Sequence, residues 1–252
     1  MIHWLLLLAL QYDPNISPKF SESSRLLQQQ RFPEAISILE TLTREKPVVG
    51  EYWYALGIAH AASGNSTASL APLEKACTIP DRVARACYHW ARQLQSMRRH
   101  TDAIAAFDKA GRNAEDSVLL TAKAQSYEAL DQATAADQAY RGALAESALR
   151  PKNSAEIQLR YSAFLIRQGK IEASLWQLDQ VIRKQPFMGT AWRERAGLLM
   201  AVGRKEDAAD ALEQAIAHGE RNRENLLLLS RLYTELGNKE KAQSYKNEAT
   251  PQ

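Results

Sequence analysis

Apolar and small residues recur along the chain with a period close to 34 residues. The clearest copy of the pattern consists of Trp53, Leu56, Gly57, Gly64, Leu73, Ala76 and Pro80. Within each copy, apolar residues at i, i+3, i+4 and i+7 indicate two amphipathic helices of about 14 residues. The glycine between them suits a helix C-terminus because glycine adopts a positive φ without steric cost. The pattern therefore predicts a series of antiparallel helical hairpins.

A small residue near the start of each second helix sets the register of seven copies. These residues are Ala35, Ser69, Ala103, Ala136, Ser174, Ala208 and Ala242, in steps of 34, 34, 33, 38, 34 and 34. We predict a single array over residues 16–252 with repeats near 16–49, 50–83, 84–116, 117–154, 155–188, 189–222 and 223–252. The step of 38 predicts a longer loop at residues 150–153.

The motif Trp53-x2-Leu56-Gly57, with Ala or Ser at the second helix and a closing proline, resembles the tetratricopeptide repeat. The resemblance covers nearly the whole chain. It implies an all-α fold, a right-handed α-solenoid of antiparallel helix pairs known as the TPR superhelix. In such a stack the first helix of each pair lines a concave surface, and the resemblance implies that this surface binds protein.

Residues at equivalent places of the first helices predict a peptide-binding groove. The aromatic ladder consists of Phe20, Tyr54 and Tyr88, and its basic neighbours are Arg85, His89 and Arg92. A second basic stretch contains Arg160 and Arg193. Aromatic faces supply contact area at low entropic cost. Arginine can donate two hydrogen bonds to one carboxylate or stack on a ring. Two alternatives stay open, namely burial of the aromatic residues and solvation of the arginines.

The sequence contains no motif for catalysis or for a cofactor. It lacks a Gly-rich phosphate loop, a His-x-x-x-His pair and a Gly-x-Ser-x-Gly elbow, and its five histidines are dispersed along different repeats. We predict a chain that is not an enzyme and that binds no cofactor or metal. Its two cysteines, Cys77 and Cys87, are either small core residues or, if the protein is exported, a disulfide.

Residues 1–15 form an apolar N-terminal segment, which is consistent with more than one cellular location. The run from Trp4 to Leu10 is too short to span a bilayer, so no integral membrane span is predicted. It has the length of a signal-peptide hydrophobic region, yet no basic residue precedes it, and the alternative is a cap on the first hairpin. This segment is consistent with an exported protein in the periplasm or cell envelope and equally with a cytoplasmic protein.

The overall charge adds little to this picture of the partner. A formal net charge of +3 does not indicate a nucleic-acid partner. We predict a scaffold that binds a partner peptide or helix in the concave groove. The alternatives are a structural assembly factor at the bacterial cell envelope and an accessory repeat domain for a separately encoded enzyme. An uncapped terminal hairpin would also allow homo-oligomerisation.

Overall fold

The computed structural model describes residues 17–80, 83–110, 117–149 and 154–250. Within these ranges the chain forms fourteen α-helices and no strand, which confirms the all-α, helical-repeat class predicted from the sequence. The N-terminal segment 1–15 and the predicted loop at 150–153 lie outside the described residues.

The chain divides into two compact units, Met1–Glu146 and Ser147–Gln252. The first unit contains α1 (Pro18–Gln28), α2 (Phe32–Glu45), α3 (Gly50–Ala62), α4 (Ser66–Thr78), α5 (Ala84–Ser96), α6 (His100–Lys109), α7 (Ser117–Ala129) and most of α8 (Ala133–Leu149). The second unit contains α9 (Ser154–Arg167), α10 (Ile171–Lys184), α11 (Gly189–Ala201), α12 (Lys205–Ala217), α13 (Arg223–Glu235) and α14 (Lys239–Ala249). These helices fit about seven hairpins, whereas the repeat limits and the single domain stay predictions.

Consecutive helices pack against one another from α1 to α7 in the first unit and from α9 to α14 in the second. The small residues that set the repeat register are buried where the two helices of a hairpin cross, and Ala35, Ala103 and Ala208 have no exposed surface. Close packing of this kind buries the apolar stripe that neither helix could bury alone.

The turn inside each hairpin has one residue in the left-handed backbone region. These seven residues are Gln30, Gly64, Arg98, Asp131, Gly169, Gly203 and Gly237, with φ between 55° and 84°. In each turn the next N–H donates to the carbonyl five residues earlier at 2.8–2.9 Å, which satisfies a carbonyl at the end of the first helix. Glycine at the turn, predicted for the clearest copy at Gly64, is therefore confirmed there and found in three further turns, and the other three turns achieve the same geometry without glycine.

Two loops between hairpins contain the same hydrogen bond from a tryptophan side chain to a proline carbonyl. The indole Nε1 of Trp53 donates to the carbonyl of Pro47, and that of Trp192 donates to the carbonyl of Pro186, both at 2.8 Å. The sequence Pro-x2-Gly-x2-Trp is common to both loops. Each tryptophan thus fixes the loop that precedes its own first helix.

A disulfide joins Cys77 at the end of α4 to Cys87 in α5, with their Cα atoms 4.8 Å apart. Both residues are buried in a core that also contains Leu73, Trp90 and Phe107. Of the two alternatives for the cysteines, the structure has the bridge. It ties the second helix of one hairpin to the first helix of the next.

Substitution of Gly57 is expected to destabilise the first unit because a Cβ there would lie 2.5 Å from Cγ of Leu73 and 3.1 Å from its backbone nitrogen. We expect Gly57→Ala to cost about 1–3 kcal/mol through overpacking. The matched control is Gly197→Ala in α11, where a Cβ would meet nothing within 4 Å. Thermal unfolding followed by circular dichroism should show a lower midpoint for Gly57→Ala only. Equal midpoints for the two variants would contradict the close approach.

Reduction of the disulfide is expected to lower the unfolding midpoint of the first unit. Closing a loop of this length removes about 2.7 kcal/mol of unfolded-chain entropy in the loop-closure description. That corresponds to about 5–10 °C for a unit of this size. The Cys77→Ala, Cys87→Ala double variant should melt like the reduced parent and should not respond to dithiothreitol. A parent whose midpoint is unchanged by dithiothreitol would refute a stabilising bridge.

Candidate binding surface

The first helices α3 and α5 bring several of the predicted groove residues together. Residues 34 positions apart occupy equivalent places on the two helices, so Glu51 and Tyr54 of α3 correspond to Arg85 and Tyr88 of α5. Glu51 itself was not among the predicted groove residues. Its opposite charge to Arg85 at the same repeat position was a signal that could have identified it.

Arg85 links the two helices by an ion pair and a ring contact. Its Nη2 donates to both carboxylate oxygens of Glu51, at 2.8 and 3.1 Å. Its guanidinium carbon lies 4.7 Å from the centroid of the Tyr54 ring, which is the geometry of a cation–π contact. Because both charged side chains are more than a third exposed, water screens this pair, and we expect it to fix geometry more than stability.

His89 lies among aromatic rings and arginine side chains. Its ring is 5.7 Å from that of Tyr54 and 5.4 Å from that of Tyr88 between centroids. Burial, with the charges of Arg85 and Arg92, lowers the pKa of His89 to about 4. Burial also raises the pKa of Tyr54 to about 12, against the opposing effect of Arg85. At neutral pH both rings are therefore uncharged, and the positive charge of the cluster resides on the arginines.

Arg92 is the most exposed cation of this cluster, and a neighbouring side chain orients it. Its Nη1 donates to Oε1 of Gln95 at 2.9 Å. Gln95 in turn donates through Nε2 to the carbonyl of Ala122 and to the hydroxyl of Ser126 in α7, both at 2.6 Å. A glutamine that bridges two first helices therefore holds an exposed guanidinium in place. The sequence pattern gave no sign of this bridge.

Phe20 does not belong to the same cluster. It is 2% exposed, and its ring packs 5.0 Å from that of Tyr52 in the core between α1 and α3. Tyr54 is also buried, at 6% exposed, and presents its ring to Arg85. The predicted aromatic ladder thus contributes one partly exposed ring, Tyr88, to the surface.

The second predicted basic stretch lies in the second unit, where each arginine is paired on its own helix. Arg160 binds Glu156 at 2.8 Å, and Arg193 binds Glu194 at 3.3 Å. Both are exposed, and such pairs contribute little to stability. The structure brings together Tyr54, Arg85, Tyr88, His89 and Arg92 and places Arg160 and Arg193 in a separate unit.

The cluster can recognise a ligand by stacking and by hydrogen bonding. Its guanidinium groups donate to carboxylates, and neutral His89 offers one donor and one acceptor.

Across the described ranges no group of three or more His, Cys, Asp or Glu side chains could hold a metal ion. Among the described helices, none has the length and apolar composition needed to cross a membrane.

The titration of His89 tests the electrostatics of the cluster. Its pKa of about 4 in the folded chain is below its usual value near 6.5, so the unfolded chain binds the proton more tightly. The free energy of unfolding should therefore fall as the pH drops from about 6.5 to about 4. NMR titration of the His89 ring, assigned with His89→Asn, should give a midpoint far below 6.5. A midpoint at or above 6.5 would show that the ring is not desolvated.

Comparison with known proteins agrees with the helical pairs. The tetratricopeptide repeat family profile matches residues 20–87, 164–217 and 196–252, together more than half of the chain. Comparison with curated protein sequences gives no significant match.

Three solved structures illustrate the similarity of fold. The C-terminal part of a TPR repeat-containing protein from Cytophaga hutchinsonii has a TM-score of 0.75 at 12% identity, over 91% of this chain and 93% of that chain. A MamA protein from Desulfovibrio magneticus RS-1 has a TM-score of 0.58 at 18% identity, over 67% and 98%. YrrB, described as a TPR protein with an unusual peptide-binding site, has a TM-score of 0.54 at 16% identity, over 70% and 90%.

At these identities the solved structures show a common fold, whereas the family profile rests on the sequence itself. The helical hairpins, the repeat register and the matched profile all lead to one assignment. The chain belongs to the tetratricopeptide repeat family.

Proposed function

We propose that the chain is a non-catalytic scaffold that binds a segment of a partner protein on the first-helix face of α3 and α5. Tetratricopeptide repeats are protein-interaction modules, which supports the scaffold in general. The observation that carries the finer proposal is the cluster of Arg85, Tyr88, His89 and Arg92, in which partly exposed rings adjoin oriented guanidinium groups. Tyr and Arg are the residue types most often found at binding hot spots.

The chemistry of the cluster indicates an acidic segment with an apolar or aromatic side chain. Arg92 offers an exposed guanidinium that is bonded to a neutral glutamine, so a carboxylate from a partner meets no competing anion on that side chain. Tyr88 offers a ring on which an apolar group can pack. Arg85 is already paired with Glu51 and serves mainly to orient Tyr54.

A second candidate, an assembly factor at the bacterial cell envelope, is favoured by the disulfide. Disulfides form and persist in oxidising compartments, which include the periplasm and the cell surface. The bridge between Cys77 and Cys87 lies in a core position, next to the surface proposed for binding. Mass spectrometry of the protein isolated from its native cells, alkylated before reduction, would test this candidate. Two alkylated cysteines would count against it.

Selection of peptides from a random library on the immobilised full chain tests the binding surface. We expect the selected peptides to be rich in Asp or Glu and to contain an apolar or aromatic residue. A Tyr88→Ala, Arg92→Ala double variant should bind them about tenfold or more weakly, since both side chains would be hot-spot contacts. Isothermal titration calorimetry measures the change.

The matched control is Arg193→Ala, which removes an exposed arginine from a first helix of the second unit. We expect this variant to bind the selected peptides like the parent. Peptides that bind the double variant and the parent equally well would contradict the proposed surface. Circular dichroism confirms beforehand that the variants are as helical as the parent.

A further inference from the structure

Trp176 is an exposed tryptophan on the second helix α10, away from the first-helix face. The residue is 56% exposed, although tryptophan is usually largely buried. The other described tryptophans have structural roles. Trp90 is 9% exposed within the core, and Trp53 and Trp192 donate their indole N–H groups to proline carbonyls.

The repeat architecture does not require an aromatic side chain at this position. Each second helix has an equivalent residue two places after the small residue that sets the register. In the other six repeats these residues are Ser37, Ala71, Ala105, Gln138, Asp210 and Ser244. All six are small or polar, so hairpins pack without a ring at this place. Trp176 is therefore better explained by an interaction outside the chain than by packing.

Carboxylates are the charged groups within one turn of Trp176 along α10. Glu172 lies one turn before it on the same exposed stripe of α10. In α12 the equivalent positions are occupied by Glu206 and Asp210, both exposed, and α10 and α12 both pack against α11. Glu172 and Asp210 take part in none of the salt bridges formed within the described ranges.

The cations of the neighbouring elements are paired with carboxylates or lie toward the ends of α10. Arg195 is bonded to Asp179 at 2.8 Å, and Lys241 is bonded to Glu213 at 2.9 Å. Lys170 is the N-cap residue of α10, and Arg183 lies two turns beyond Trp176 toward its C-terminus. At the start of α12, Arg204 is bonded to Asp207 and Lys205 to Glu235. Within one turn of Trp176 along α10, the charged residues are therefore both carboxylates, Glu172 and Asp179.

We propose that Trp176, with Glu172 and Asp210, forms a docking site for a cationic segment of a partner protein. An arginine or lysine of that segment stacks on the indole face, and the carboxylates pair with its neighbours. A purely apolar partner is disfavoured because the residues flanking Trp176 on its helix face are Glu172, Ala173, Asp179 and Gln180. Such a partner would bury the carboxylate of Glu172 without pairing it.

Titration of the ¹⁵N-labelled full chain with a blocked tetra-arginine peptide tests the site. The indole N–H resonance of Trp176, assigned with Trp176→Ser, should move and saturate. The resonances of Trp53 and Trp192 should stay in place because their N–H groups are bonded within the chain. A blocked tetra-glutamate peptide should leave all of these signals unchanged.

Variants separate stacking from charge. We expect Trp176→Ser to weaken the peptide about fivefold, the range of an exposed cation–π contact. Glu172→Gln and Asp210→Asn should each weaken it about threefold. Tyr88→Ala, on the surface proposed for the acidic segment, should leave the affinity unchanged, so that the two proposals fail independently.

Two results would overturn this inference. One is a Trp176 signal that does not respond to tetra-arginine, or that responds equally to tetra-glutamate. The other is a parent chain that sediments as a dimer while Trp176→Ser sediments as a monomer, which would assign the face to a second copy.

Because Trp176 is exposed, its substitution should leave thermal unfolding unchanged.

Discussion

The close antiparallel crossing of two helices is the constraint on which the rest of this structure depends. It requires a sharp chain reversal and a small side chain at the crossing. The reversal is achieved by one left-handed residue in each hairpin, and the following N–H closes the turn onto the first helix. Four of these residues are glycine, but Gln30, Arg98 and Asp131 adopt the same φ despite the cost for a side chain. Packing of the hairpin outweighs that local cost.

Serine replaces alanine at two of the crossing positions without leaving a buried hydroxyl unsatisfied. Ser69 donates to the carbonyl of Ser66 at 2.7 Å within its own helix. Ser174 donates across the hairpin to the carbonyl of Ser162 at 3.1 Å, and the two hydroxyls lie 2.7 Å apart. A buried hydroxyl with a partner costs little, so the crossing keeps its spacing. The repeat tolerates these departures because they are small and hydrogen-bonded.

The candidate binding surface illustrates how repeat periodicity creates chemistry between neighbouring helices. Positions 34 residues apart face each other across α3 and α5, and this places Glu51 beside Arg85. Tyr54 meets the ring of His89, which is one residue beyond its own equivalent, Tyr88. The same periodicity aligns Trp176 with Asp210 in the second unit. A repeat that is structurally uniform therefore carries its individuality in the residues that packing does not fix.

The helical class, the repeat register and the glycine at the turn could be predicted from the sequence, because these follow from local periodicity and steric preference. The sequence also identified which residues share a position in successive helices. Which of these residues reach solvent depends on tertiary packing, and spacing along the chain does not predict it. Phe20 and Tyr88 are equivalent by spacing, yet Phe20 packs on Tyr52 whereas Tyr88 is partly exposed. Burial depends on neighbours far apart in the chain, and the choice between free cysteines and a disulfide depends on how α4 packs against α5.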